Sequence, residues 1–251
     1  IAENRIVLKK IPEVLLCRMC GDEIITESYL NHLEIHGVYL HDKICVHVPI
    51  YNDKIAFKRT GENCKQHNLF CIVSDGRFPG FKKINDSDNS TDGTKQLAES
   101  YPNVSFFEHG EDFEEAKFNF AAHLAAKMGF KYFILLGSDE YITGDIDELT
   151  KTLDERMLLL DPNREYAFHV AIDEHQPENR WNRFITESPK IYANVGLLRT
   201  RFSHWLRYST SQIIETDQDI PLKSYQRRIC KIVIHHDDSI RGNDRNKLMT
   251  S

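Results

Sequence analysis

Four residues near the N-terminus have side chains and spacing suited to binding a metal ion. Cys17 and Cys20 are followed by His32 and His36, in the pattern C-x2-C-x11-H-x3-H. Thiolate sulfur and imidazole nitrogen are the ligands that tetrahedral zinc sites use. Two histidines four residues apart lie on one face of a helix, so both can reach the same ion. The pattern therefore predicts a structural zinc site.

The residues around these ligands predict a small ββα module. Residues 14–16 and 24–25 are apolar and favour a hairpin, and Thr26 is a predicted N-cap for a helix over residues 27–36. The alternative interpretation is that the two cysteines are buried apolar residues and the two histidines lie at the surface. We favour the metal site, because the alternative requires the spacing of all four residues to be a coincidence.

The module resembles a C2H2 zinc finger, although eleven rather than about twelve residues separate its second Cys from its first His. This deficit leaves open the register of the candidate core residues Tyr29 and Leu30. A finger that reads nucleic acid needs Arg and Lys on its helix, so the sequence predicts a structural or protein-contacting module and no nucleic-acid partner. Between the outermost ligands the charged residues are one arginine and four acids: Arg18, Asp22, Glu23, Glu27 and Glu34.

From Lys43 onward, short β-rich runs alternate with longer helical ones. Such alternation is typical of an α/β sheet flanked by helices. We therefore expect two domains, with residues 1–40 forming the zinc module and residues 41–251 the α/β domain. The predicted strands cover residues 44–48, 69–73, 104–107, 132–136, 166–172 and 232–235, and the predicted helices cover 94–101, 113–128 and 146–160.

Carboxylates follow three of these strands. In an open α/β sheet, ligands bind in the crevice beyond the carboxyl ends of the strands, so these acids are candidates for a binding site. Carboxylate oxygens suit Mg and Mn, and they also accept hydrogen bonds from ribose hydroxyls. Asp139, after a buried strand, is the strongest metal candidate. The segments after the strands are Pro49-Ile50-Tyr51-Asn52-Asp53, Ser74-Asp75-Gly76 and Gly137-Ser138-Asp139-Glu140.

This ordered set of strand ends resembles a family 2 glycosyltransferase of the GT-A fold. The resemblance spans residues 44–172 and rests on PIYND at 49–53, IVSDGRFPGF at 72–81, STDGT at 90–94 and FILLGSDEYITG at 133–144. It implies a Rossmann-like mixed sheet, a nucleotide-sugar donor, Mn or Mg on the donor diphosphate, and transfer of the sugar to an acceptor hydroxyl. The base, the sugar, the oligomeric state and the acceptor, whether glycan, protein or lipid, are left open.

The resemblance also implies roles for individual residues. Asp139 and His236 would hold the divalent ion, with Glu140 as an alternative ligand. An inverting transfer needs a carboxylate to deprotonate the acceptor, and Asp173 and Glu174, after the strand over 166–172, are the candidates for this base. The implied donor contacts are Pro49, Tyr51, Asn52, Asp53, Asp75, Gly76, Asp88, Lys117, Asp139 and His236.

One position departs from the family pattern. The metal motif of the family reads D-x-D, and Gly137 stands where the first Asp is expected. Loss of that carboxylate removes a contact to the metal or to the sugar. The alternative hypothesis is therefore a catalytically inactive GT-A-like protein that uses the zinc module as an adaptor for another protein.

Composition excludes several other classes. The 251 residues include 32 Lys and Arg against 38 Asp and Glu, giving a net charge of −6, so a general polyanion binder is not expected. No apolar run approaches the roughly 20 residues of a membrane helix, and the N-terminus shows no apolar signal segment, so we expect a cytoplasmic protein. Six cysteines are too sparse for a disulfide scaffold in a chain of this length.

Overall fold

The computed structural model describes residues 9–112, 114–162, 166–175, 183–193, 200–202, 213–215 and 223–237. In this part of the chain, no helix combines the length and the apolar composition that crossing a bilayer would require. The elements, in chain order, are β1 (Val14–Leu16), β2 (Glu23–Ile25), α1 (Tyr29–Ile35), β3 (Ile44–Ile50), α2 (Lys54–Gln66), β4 (Phe70–Asp75), α3 (Thr94–Glu99), β5 (Val104–Glu108), α4 (Glu114–Lys127), β6 (Tyr132–Leu135), β7 (Glu140–Gly144), α5 (Ile146–Met157), β8 (Tyr166–His175), β9 (Arg183–Ala193), β10 (Thr200–Phe202), β11 (Ile213–Glu215) and β12 (Lys223–Asp237).

Within the described residues, eight strands form one mixed sheet in the order β5-β4-β3-β6-β9-β8-β12-β7. Strands β3 to β6 are parallel, and β9 runs antiparallel to both β6 and β8. β12 is parallel to β8 and antiparallel to the edge strand β7. The nearly continuous apolar run of β3 fits this position, because parallel strands are covered on both faces. The predicted fold class, an α/β domain with a mixed sheet flanked by helices, is confirmed.

Helices cover both faces of the sheet. On one face, α2, α3 and α5 contribute Phe57, Ala98 and Leu149 to a core shared with β3 and β4. On the other face, α4 packs Phe118 against Phe133 of β6, with the ring centroids 4.8 Å apart. The sheet is therefore a buried central layer, and the exposed site must lie at its ends.

The N-terminal module has the predicted ββα order, but its helix begins later than expected. A 3₁₀ turn occupies Thr26–Ser28, and α1 begins at Tyr29 rather than at Glu27. The prediction that Thr26 caps the helix is wrong. Its buried hydroxyl donates to the carbonyl of Pro12 at 2.8 Å. This bond links the start of the 3₁₀ turn to the residues that precede β1.

The module packs directly on the larger domain. Tyr29 and Leu33 of α1 are buried, and the ring of Tyr29 meets Phe70 of β4 edge to face with centroids 6.2 Å apart. Of the two candidate core residues, Tyr29 enters this core, whereas Leu30 is only partly buried. At the rim, Lys127 of α4 pairs with Glu13 at 2.6 Å. The module and the α4 face of the sheet therefore share one hydrophobic core.

Helix α2 was not predicted, and it protects the edge of the sheet. Asn63 donates to the carbonyl of Ile142 at 2.9 Å and accepts from its N–H at 2.8 Å, as a neighbouring strand would. The Thr60 hydroxyl oxygen lies 2.7 Å from the carbonyl oxygens of both Ser138 and Glu140, and its single proton is shared between them. These bonds satisfy backbone groups in and just before β7, a strand that the sequence did not predict. Edge strands need such cover because their unpaired groups invite pairing with other chains.

Candidate functional site

The predicted metal ligands of the N-terminal module converge on one point. The ligand atoms of Cys17, Cys20, His32 and His36 all lie within 4.8 Å of one another. Cys20 Sγ is 3.3 Å from His32 Nε2, which is 3.2 Å from His36 Nε2. Ligands placed tetrahedrally about 2.0–2.3 Å from an ion are roughly 3.5 Å apart, so this cluster could hold a metal ion. Among the described residues, no other group of three or more such side chains comes as close.

The sequence predicts a second site at the carboxyl ends of the central strands. A cleft of about 260 Å³ opens there. Its lining includes four of the predicted site residues, together with Gly137 and a lysine that was not predicted. These residues are Pro49, Gly137, Asp139, Glu140, Lys190 and His236.

Asp139 and His236 meet in this cleft. Asp139 is only 1% exposed, and its Oδ2 lies 3.0 Å from His236 Nε2. The two residues come from the β6–β7 connection and the end of β12, which pairs with β7. A carboxylate and an imidazole suit Mn, and divalent ions at phosphate sites use one or two protein ligands and complete their shell with phosphate oxygens. The pair therefore fits a divalent cation that is shared with a phosphorylated ligand.

Glu140 is held by the protein itself. Its two carboxylate oxygens lie 2.8 and 2.7 Å from Lys190 Nζ, and Oε2 also accepts the N–H of Gly137 at 2.7 Å. Both side chains are largely buried. Glu140 thus lies beside Asp139 at the cleft, with its charge already offset by an ammonium group.

The predicted residues after β3 hold the loop over residues 84–91. Tyr51 donates to the carbonyl of Ser87 at 2.8 Å and accepts from the N–H of Ile84 at 2.9 Å. Asn52 accepts the N–H of Thr91 at 2.8 Å. These two side chains therefore shape the loop, and neither is among the described residues that line the cleft.

The predicted carboxylates Asp53 and Asp75 are also bound by neighbouring hydroxyls. The hydroxyl of Ser138 donates to Asp53. Ser90 donates to Asp75 through its hydroxyl and through its N–H, the latter at 2.9 Å. Burial raises the pKa of Asp75 above its usual value, and the Ser90 bonds oppose that shift. A carboxylate has about four lone-pair positions, so Asp75 retains capacity to accept from a ligand.

Asp88 lies in an ion-pair cluster away from the cleft. Its carboxylate is 2.8 Å from Lys83 Nζ and 2.7 Å from Arg77 Nε. The hydrogen bonds from Lys83 and Arg77 lower the pKa of Asp88. The structure therefore does not bring Asp88 to Asp139, and it assigns Asp88 to the support of the loop.

Gly76 follows β4 at a point where a side chain does not fit. Its φ is +142°, and a Cβ built there would lie 2.1 Å from the carbonyl oxygen of Gly110. The Gly76 N–H donates to the carbonyl of Ile50 at 2.9 Å, which joins the ends of β3 and β4. This glycine permits the close approach that brings the strand ends together.

Replacing Gly76 by Ala is expected to lower the free energy of unfolding by about 3 kcal/mol, because the new Cβ clashes with a backbone oxygen in a strained conformation. Urea denaturation measures the loss. Gly80→Ala is the matched control, since Gly80 also has a positive φ, +86°, but no atom within 4 Å of the added Cβ. That control should lose only about 1 kcal/mol. Equal losses in the two variants would contradict the close-approach argument.

Lys117 of α4 contacts the same turn after β4. It is fully buried, its Nζ donates to the carbonyl of Gly76, and its ammonium lies 4.1 Å from the ring centroid of Phe78. Burial lowers the pKa of Lys117 to about 8, against the opposing charge of Asp75. Lys117 is not among the described residues that line the cleft, so its place is that of a support for the turn after β4.

The lowered pKa of Lys117 predicts a pH dependence of stability. Lys117 titrates near pH 8 in the folded state and near pH 10.4 when unfolded, so between these values the unfolded chain binds more protons. The contribution of Lys117 to the free energy of unfolding therefore rises with pH across this window, by on the order of 3 kcal/mol. Lys117→Met should remove that rise in urea denaturation at pH 7.5–10.5. The exposed Lys58→Met should keep it, and a Lys117→Met profile parallel to the wild type would refute the interpretation.

Asp173 is held on the other face of the sheet from Asp139. His235 and His236 are consecutive in β12, and consecutive strand residues point to opposite faces. His236 contacts Asp139, whereas His235 Nδ1 lies 3.0 Å from Asp173 Oδ2. The side chain of Glu174 lies outside the part of the chain that the structure describes, but the backbone position of Glu174 pairs with His236 in the register.

Lys190 is one of the cleft residues that the sequence did not predict. It belongs to β9, in a stretch where the sequence shows no clear periodicity. The neighbouring Pro189 is the available signal, since a proline within a strand pattern indicates an edge or a bulge. Four further polar and aromatic candidates in the last third of the sequence lie outside the described residues. They are Trp181, His204, Trp205 and Tyr208.

Together, the described elements form an α/β protein with an acidic cleft at the carboxyl ends of its strands. No protein-family model matches the sequence, and no curated protein is significantly similar to it. Among solved structures, the chain is similar to S. aureus TarS residues 1–349, with 18% identity over 64% of this chain and 50% of that one and a TM-score of 0.43.

Two further solved structures show the same kind of similarity. A second S. aureus TarS structure gives 14% identity over 76% of this chain and 36% of that one, with a TM-score of 0.44. The mannosyltransferase PcManGT from Pyrobaculum calidifontis, in complex with GDP-Man and Mn2+, gives 16% identity over 62% and 47%, with a TM-score of 0.33. The chain spans half or less of the length of these three proteins, and the similarities concern the fold alone.

Proposed function

We propose that this protein is a divalent-metal-dependent glycosyltransferase that moves a sugar from a nucleoside-diphosphate donor to an acceptor hydroxyl. The observation that carries the proposal is the Asp139–His236 pair, with Oδ2 and Nε2 3.0 Å apart in a cleft at the carboxyl ends of the strands. Strand ends of this kind are where open α/β sheets bind their ligands. The ordered motifs of residues 44–172 support the same conclusion.

The chain's own residues divide the work of binding. Asp139 and His236 would hold the cation, and the cation would supply positive charge to offset that of the diphosphate. Asp75, fixed by Ser90, is assigned the hydrogen bonds from the nucleoside, as the resemblance implies. The loop over residues 84–91, held by Tyr51 and Asn52, keeps Asp75 in place. The Cys/His cluster would hold a structural zinc ion.

The experiment that tests this function is a binding and hydrolysis assay with the full chain, Mn and a panel of UDP- and GDP-sugars. We expect at least one donor to bind and to be turned over slowly in the absence of an acceptor. Absence of binding for every donor, with and without Mn, would contradict the proposal.

An inverting transfer also requires a base, and we propose Glu174 for this role ahead of Asp173. Position 174 pairs with His236, whereas Asp173 is bound to His235 on the opposite face of the sheet. Glu174→Gln should lower kcat by about 100-fold or more while donor affinity stays unchanged. Asp173→Asn is the matched control and should keep most of the activity. The reverse order of the two effects would assign the base to Asp173.

A second candidate function is a binding protein that has lost catalysis and uses the N-terminal module as an adaptor. Gly137 favours it, because this position offers no side-chain ligand to the cleft. The two functions differ in one measurement. An adaptor would bind a nucleoside diphosphate or no nucleotide at all, and it would show no turnover with any donor.

A further inference from the structure

Lys190 lies on an irregularity of β9. The register between β8 and β9 runs from Phe168 opposite Ile191 directly to His169 opposite Pro189, so Lys190 has no partner in β8. An extra residue of this kind is a β-bulge, which bends the strand and redirects a side chain. Proline, which cannot donate a ladder hydrogen bond, is compatible with such a position. The result is a lysine at the wall of the cleft.

The ammonium group of Lys190 is held in a fixed place. Its Nζ lies 2.8 and 2.7 Å from the two oxygens of Glu140, and Glu140 is itself anchored by the N–H of Gly137 at 2.7 Å. An ammonium has three N–H donors. Glu140 uses two of them, and among the described residues the third has no partner.

Stability alone does not account for this ion pair. The Lys190 and Glu140 side chains are 16% and 8% exposed, so both charges have been removed from most of their water. The desolvation of a buried pair offsets much of its attraction, and an apolar pair of similar size is often as stable. A β-bulge beside a cleft, holding a lysine toward it, indicates a role in the cleft.

The charges of the cleft indicate which ligand the lysine can bind. Asp139, Glu140 and Glu114 line the cleft, so a diphosphate entering it meets three carboxylates. A cation on Asp139 and His236 offsets the first of them. Lys190 offsets Glu140 and has a donor left over, which a phosphate oxygen can accept.

We propose that Lys190 is a built-in cation that binds the diphosphate of the donor, beside the divalent ion and independently of it. The proposal rests on the proposed function and extends it to a residue outside the metal site. Glu140 is then the residue that positions the lysine rather than a metal ligand. The cleft consequently keeps measurable affinity for a nucleoside diphosphate when no Mn or Mg is present.

The test is calorimetric titration of the full chain with UDP, GDP and the matching monophosphates, in buffer without Mn or Mg. A chelator is avoided because it would also remove metal from the Cys/His cluster. We expect the wild type to bind the diphosphate at least tenfold more tightly than the monophosphate. Lys190→Ala should abolish this preference while leaving monophosphate affinity within about twofold, and Lys190→Arg should retain part of it. Added Mn should restore most diphosphate binding to Lys190→Ala.

Folding is controlled with the double variant Lys190→Gln/Glu140→Gln, which keeps a hydrogen-bonded pair without its charges. It should unfold like the wild type and lack the preference for diphosphate. Unchanged preference in Lys190→Ala, or equal loss of mono- and diphosphate binding, would overturn the inference. So would a wild type that binds diphosphate only with Mn, although the proposed function would then stand. A wild type that binds no nucleotide under any condition would overturn both.

Discussion

Replacing Asp139 by Asn is expected to weaken the binding of a nucleoside diphosphate in the presence of Mn by about 100-fold, equivalent to roughly 3 kcal/mol. Asp139 is the charged member of the pair that faces the cleft with His236. Asn keeps the size and one oxygen of the side chain but removes the charge that a hard divalent ion requires. Isothermal titration of UDP or GDP with and without Mn measures the change.

Asp147→Asn is the matched control for this variant. Asp147 lies in the first turn of α5 with a side chain 94% exposed, and its loss should leave nucleotide binding unchanged. The Asp139→Asn variant should retain the difference between mono- and diphosphate in Mn-free buffer, since Lys190 is intact. If Asp139→Asn binds the nucleotide and Mn as the wild type does, Asp139 is not a metal ligand, and the adaptor hypothesis gains support.

The position of Asp139 in a cleft at the strand ends was predictable because its signals are local. Asp139 follows an apolar run long enough to be a buried strand, and the strands converge at one edge by the rules of parallel sheets. The Cys and His spacing likewise encodes the ligand cluster, since a hairpin turn and one helix bring its four members together. In both cases, a short-range sequence pattern determines where each side chain lies in the fold.

What escaped prediction depends on long-range packing. Helix α2 carries few apolar residues, because Thr60 and Asn63 use its buried face to bond the β7 edge. Its apolar periodicity is correspondingly weak. The bulge at Lys190 arises from the pairing of β8 with β9. These strands are distant in sequence from the β6–β7 connection that carries Asp139. Asp173 and Glu174 illustrate the limit of prediction from sequence. Adjacent residues of a strand face opposite sides of a sheet, and only the register shows that position 174 pairs with His236.

Removing a ligand of the Cys/His cluster is expected to destabilise the whole protein and not only its first segment. Structural zinc contributes about 10–16 kcal/mol of apparent binding free energy in isolated fingers, and a module of this size cannot bury a sufficient core alone. Here Tyr29 and Leu33 of the module complete the core on the α4 face, against Phe70. Loss of the ion would therefore expose part of the larger domain's interior.

We expect the wild type to contain about one zinc per chain and Cys17→Ser and His36→Ala to contain almost none, as metal analysis would show. The thermal unfolding midpoint of the whole α/β domain should fall. The near-ultraviolet signal of its aromatic residues measures this unfolding. We expect the free energy of unfolding to fall by at least about 3 kcal/mol, comparable to the loss of a large buried side chain.

Met19→Ala provides the matched control, because Met19 lies between the two cysteines and is 48% exposed. It should keep both the zinc and the unfolding midpoint. A wild type without bound metal would refute the zinc site. Variants that lose zinc but unfold like the wild type would instead show that the contact between Tyr29 and Phe70 is maintained without the ion. The larger domain would then be stable independently of its N-terminal module, and the shared core would not couple the two.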